Sequence, residues 1–194
     1  STAANFLLYA TSFRKALFVT SNKTQFEVTG STEQGFTPKV ASIDMSTMSD
    51  IEQKCRPIVI GNKMYFAGES GSNAVVYEYV YDDATVSNKA ANVLLHAKTY
   101  IPANITTISG DTASETVVMR TDAETNALYV YQQFEDGGEK AQMAWSRWYI
   151  GDEILLAQYL LDSLYLVVKR GSEYCLEKML TDNEVGELNV DFEI

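Results

Sequence analysis

A chain of 194 residues with 46% apolar and 21% charged side chains is long and apolar enough to bury a core, which excludes wholesale disorder. Fifteen Lys and Arg against 26 Asp and Glu leave a net charge of −11. That balance excludes a simple basic nucleic-acid binder and argues against docking on an anionic membrane surface.

Short β-type runs between turn residues follow one another along the chain. The spacing predicts strands at Phe6–Tyr9, Ala16–Thr20, Gln25–Thr29, Val40–Asp44, Pro57–Ile60, Met64–Ala67 and Val75–Tyr81. It predicts seven more at Ile105–Ser109, Thr116–Thr121, Leu128–Phe134, Met143–Ile150, Ile154–Tyr159, Leu164–Lys169 and Tyr174–Met179. Tyr77, Tyr79 and Tyr81 alternate with Glu78, Val80 and Asp82, so one aromatic row belongs on one face, and Tyr129 and Tyr131 repeat the pattern. Gly61-Asn62, Gly68 to Gly71, Gly137-Gly138 and Gly171 supply turns. Asn88–His96 carries helix formers and is expected to form one or two helical turns or a loop, within an insertion near 82–107. Asp152–Leu161 could start a helix capped by Asp152, but strand–turn–strand is the preferred reading, with the turn at Leu161-Asp162-Ser163.

A weak internal repeat links Ala16–Val19, Lys63–Phe66, Ala127–Val130 and Ser163–Leu166: small or polar, aliphatic, aromatic, apolar. The aliphatic positions 17, 64, 128 and 164 are 47, 64 and 36 residues apart. Their mean lies near the ~40–50 residues of a propeller blade. The expected fold is therefore all-β, an antiparallel β-propeller-like fragment of about three to four blades, with the repeat on the inner or second strand of each. A β-sandwich is the plain alternative. One domain over 1–194 is expected. The start at Ser1-Thr2-Ala3-Ala4, without an initiator Met or a signal-peptide pattern, and the strand-like end Phe192-Glu193-Ile194 suggest a piece of a longer chain.

Candidate chemistry is sparse. His96 is the lone histidine and reads as structural. Cys55 and Cys175 make no disulfide framework, and a nucleophilic role would need a thiol pKa lowered by a base or cation. The acidic pairs Asp82-Asp83, Glu135-Asp136 and Asp152-Glu153 flank turns, where solvated carboxylates are ordinary. No calcium loop or phosphate-cradling loop occurs, and Gly68-Glu69-Ser70-Gly71 is a turn. Trp145 and Trp148, three apart on a strand, point to opposite faces, one into a core and one toward a neighbour. No residue is assigned a catalytic, cofactor-binding or metal-binding role, and no cofactor is expected.

Several segments, in order, carry a family resemblance. They are Thr24–Gly30, Phe36–Val40, Arg56–Phe66, Val76–Tyr79, Asp82-Asp83, His96, Tyr100-Ile101-Pro102 and Leu128–Tyr131. Glu139–Trp148, Leu164–Val168 and Leu176–Met179 complete the set. Together they resemble the tail nozzle (tail tubular protein B) family of T7-like short-tailed bacteriophages. The resemblance runs from about Leu17 to Met179. Asp162-Ser163 stands where that family often has Asp-Gly. The resemblance implies a virion tail protein without catalysis, made in the host bacterial cytoplasm. It implies a hexameric ring, contacts with the tail adaptor and tail fibres, and DNA passing through without specific binding or membrane anchoring. A carbohydrate-binding or carbohydrate-cleaving propeller module, with Trp145 or Trp148 as sugar platform, is the alternative.

Overall fold

Two-residue hairpins shape this chain, and glycine geometry shows why they form. A computed structural model describes residues 6–31, 37–82, 87–136 and 139–179, and among them no helix occurs. The chain divides into two units, Ser1–Ala103 and Asn104–Ile194.

The first unit holds two antiparallel four-stranded meanders. One is β1 (Leu7–Phe13), β2 (Ala16–Ser21), β3 (Gln25–Thr29) and β4 (Ser42–Thr47), paired in that order. The other is β5 (Ile58–Ile60), β6 (Lys63–Ser70), β7 (Asn73–Asp82) and β8 (Ser87–Asn92). Phe13 and Phe18 from the first meet Met64, Phe66 and Tyr79 from the second in one core, closed by Ile51. Tyr79 is its hub, with ring centroids 4.6 Å from Phe18 and 5.6 Å from Phe13. The predicted aromatic row is real: Tyr77 stacks on Phe66 beside Tyr79, and the Tyr81 ring lies under the Arg14 guanidinium. Gly68 is required by a close approach, because a Cβ there would sit 2.2 Å from the Asp50 carbonyl oxygen. Next to it the Glu52 amide donates to the Ala67 carbonyl at 2.8 Å.

The second unit holds a four-stranded and a three-stranded meander. The strands are β9 (Ile105–Asp111), β10 (Thr116–Thr121), β11 (Glu124–Asp136) and β12 (Glu139–Tyr149), then β13 (Glu153–Leu160), β14 (Ser163–Arg170) and β15 (Glu173–Met179). Val118, Leu128 and Val130 pack on Ile154, Leu164, Leu166 and Val168. Two polar staples fix β13 to the neighbouring sheet. The buried Arg120 on β10 donates to the Ile154 carbonyl, and the Tyr159 amide donates to Ser109 Oγ at 2.7 Å.

Three expectations need correction. Asn88–His96 is not helical: residues 88–92 belong to β8, and 93–96 form a turn. A nine-residue helix is too short to hold itself, and β7 offers a full ladder from Tyr77↔Asn92 to Asp82↔Ser87. The Asn92 side chain then accepts from the Leu94 amide at 2.9 Å and ends the strand. The strand predicted at Val40–Asp44 begins later, at Ser42, because the Val40 and Ala41 amides close a turn onto the Thr37 carbonyl. The repeat falls on β2, β6, β11 and β14, which is the second strand in three sheets but the third in the β9–β12 sheet. What these four strands share is an interior place in their sheets, with a hydrogen-bonded strand on each edge. The turn Gly137-Gly138 and the end Phe192–Ile194 lie outside the described residues.

Asp152–Leu161 is strand–turn–strand as read, with the hairpin residues Leu161-Asp162 between Leu160 and Ser163. Gly61, Gly71 and Gly171 open equivalent hairpins at φ 59°, 64° and 62°. Arg14 and Leu161 occupy the same position at φ 55° and 58°, where a side chain is strained.

Candidate functional site

The sequence candidates scatter rather than converge. His96 sits exposed in the turn after β8. Cys55 is fully buried, and burial, with Glu52 nearby, pushes its thiol up to about 12. It is protonated at neutral pH and a poor nucleophile. Cys175 is half-buried on β15. Among the described residues no group of three His, Cys, Asp or Glu is placed to hold a metal ion.

The acidic pair Asp152-Glu153 is engaged in ion pairs. Asp152 accepts from Arg170 Nη1 at 2.6 Å, and Glu153 lies 3.8 Å from Lys169 Nζ. The same Arg170 grips Glu177 with both arms, at 2.6 and 2.9 Å, and that side chain is only 2% exposed. Glu177, then Asp152, holds the Arg170 guanidinium above its ordinary pKa. This is a structural clamp across β14 and β15, joined to the turn before β13. The side chains of Asp82-Asp83 and Glu135-Asp136 lie outside the described part of the structure.

Trp145 and Trp148 separate as β-strand geometry demands. Trp148 packs against the core of the second unit. Trp145 lies on the other face of β12, 4.8 Å from the Tyr131 ring. Two residues on, Arg147 sits over the Tyr149 ring at 4.7 Å and reaches Glu124 at 3.5 Å. Glu124 also accepts from the Tyr129 hydroxyl. Burial, then this carboxylate, pushes Tyr129 up to about 12. The result is a ladder of aromatic, cationic and acidic side chains on a sheet face, which suits protein contacts better than bond cleavage. Sequence reasoning missed this ladder because its members come from two strands, β11 and β12, whose register brings them together. Only the Trp145-to-Tyr149 alternation hinted at it.

Among the described residues the candidate side chains are drawn into ion pairs, ring contacts and cores of β-sheet, and the comparisons with known proteins place the chain in a family. The family model for the bacteriophage nozzle protein matches residues 1–194. The chain belongs to the bacteriophage nozzle protein family. It is also 26% identical over 167 residues to the tail tubular protein gp12 of Escherichia phage T7. That match covers 84% of this chain but 21% of the relative, so the chain spans about a fifth of that protein's length. A nozzle-family chain is a phage tail structural component and not an enzyme.

Proposed function

We propose that this chain forms part of the wall of a phage tail nozzle of the tail tubular protein B type, in a T7-like short-tailed phage. The whole-chain family match carries the reading. The four antiparallel meanders are then successive blades of a propeller-like domain, consistent with their sequential strand order. The nozzle assembles as a hexameric ring, bounded by the tail adaptor and the fibres, and the genome leaves through it. It is made in the host cytoplasm and ends in the virion tail.

The charge supports a conduit role. Each phosphate neutralised by Lys or Arg adds salt-dependent affinity, and a basic lumen would hold the duplex back. A chain of net charge −11 repels phosphate and keeps a hydrated gap. Fluorescence anisotropy with a short labelled duplex at low salt tests this. No binding is expected at micromolar protein. Binding whose affinity falls steeply with salt would refute the conduit reading.

A further inference from the structure

Residues 49–53, between β4 and β5, run as a strap between the two sheets of the first unit, and their backbone groups point alternately to one and the other. Toward the β1–β4 sheet, the Ser49 carbonyl accepts from the Gln25 side chain at 2.8 Å. On the same side the Ile51 amide donates to the Asn22 carbonyl at 3.3 Å, and the Gln53 carbonyl accepts from the Tyr9 hydroxyl at 2.6 Å. Toward β6, the Asp50 carbonyl lies over Gly68 and the Glu52 amide donates to the Ala67 carbonyl at 2.8 Å. None of these contacts changes charge between acid and neutral pH. One further contact does: the Glu52 carboxyl meets the Glu69 carboxyl of β6 in a side-chain hydrogen bond.

We propose that Glu52 and Glu69 form a proton-held latch, which ties the strap to β6 in acid and lets go toward neutral pH. Two carboxyl groups can bond to each other only while one keeps a proton to donate. Once both ionise, like charges meet instead. The site favours the proton. Burial, then the bond to Glu69, holds the Glu52 carboxyl above its ordinary 4.5. The Lys54 amide, which donates to Glu52 Oε1 at 3.1 Å, and the Lys54 charge pull the other way and are outweighed. Tyr9 of β1 and Cys55 on the strap also face Glu52. Burial pushes both up, so both stay neutral over this range, while Arg56 offsets part of the effect at Tyr9. A carboxyl held up in the fold adds stability that is whole below 4.5 and is lost as pH rises through its folded value. That stability belongs to the seam, because Glu52 is on the strap and Glu69 on β6. The first unit therefore has a tighter seam in acid than at neutral pH.

Hydrogen exchange of the Glu52 amide, followed by NMR in the 194-residue chain at pH 4.5 and pH 7, reads the latch. Its protection factor, corrected for intrinsic exchange, is divided by that of the Val93 amide, which bonds the Val76 carbonyl at 2.9 Å in the same unit. This ratio should fall by about threefold or more between pH 4.5 and pH 7. Glu52→Gln and Glu69→Gln each set an amide donor against the remaining carboxylate at every pH. In both, the ratio should stay level and at pH 7 lie above the parent's. The Glu52 carboxyl carbon should titrate above 4.5 in the parent and closer to 4.5 in Glu69→Gln. A level ratio in the parent, or the same fall in both variants, would overturn the latch. So would a Glu52 titration that Glu69→Gln leaves unmoved.

Discussion

Replacing Arg170 by Met should unfold the second unit more readily than any surface change near it. Arg170 makes two hydrogen bonds to Glu177, at 2.6 and 2.9 Å, and one to Asp152 at 2.6 Å. Glu177 stands on β15 opposite Leu166, on the buried face of the sheet. Removing the guanidinium leaves that carboxylate desolvated and unpaired by Arg170. Breaking a buried pair costs about 3–5 kcal/mol, mostly through the charge left behind. The Arg170 side chain is 26% exposed, so water can partly reach the site and the lower end, about 3 kcal/mol, is expected. For a unit of this size that is a fall of about 12–24 °C in melting temperature. Asp152 is 40% exposed and loses little when its partner goes. The double variant Arg170→Met/Glu177→Leu should therefore recover most of the loss, because neither charge remains buried. Urea titration followed by circular dichroism of parent, single and double variants measures the cycle. A single variant within 1 kcal/mol of the parent, or a double variant no better than the single, would refute the clamp's energetic role.

Three further outcomes follow from the geometry. Leu161→Gly should stabilise the chain by about 0.5–1 kcal/mol, since Leu161 is 88% exposed and strained at φ 58°; thermal melts check it, and an unchanged or lower melting temperature counts against the strain. Gly68→Ala should destabilise the first unit by about 2 kcal/mol or more, because its Cβ would meet the Asp50 carbonyl at 2.2 Å; a urea midpoint equal to the parent's would show that the crossing segment gives way. Burial leads the causes that push Tyr79, Tyr129 and Cys55 up to about 12 in the fold, from 10, 10 and 9. The unfolded chain releases those protons first, so this stability is whole below pH 9 and is lost as pH rises toward 12. Urea midpoints across that window should fall, and fall less for Tyr79→Phe; a flat profile would contradict the buried hydroxyls and thiol.

Much of this architecture is legible in the residues. Alternation placed Tyr77 and Tyr79 together on one face and Glu78 on the other; the fold turns the tyrosines toward the core, while Glu78 accepts from the Tyr65 hydroxyl at 2.8 Å. The same alternation separated Trp145 from Trp148. Local pattern failed where a neighbour decided the outcome. Asn88–Asn92 has helical propensity, but β7 had an open edge to offer. The four-residue repeat marked central strands and carried no information about their rank within a sheet. Arg120 reads as an ordinary charge on a strand. Its role depends on a carbonyl 34 residues away, which no local pattern encodes. The clamp of Arg170, Glu177 and Asp152 likewise needs the β14–β15 register before it can be seen.

The most direct test of the nozzle reading is location. An antibody raised to this chain, applied to purified particles and visualised with gold by electron microscopy, should label the distal tail and leave the capsid bare. Unlabelled particles, with the antigen free in the lysate or present in uninfected cells, would contradict a place in the tail wall.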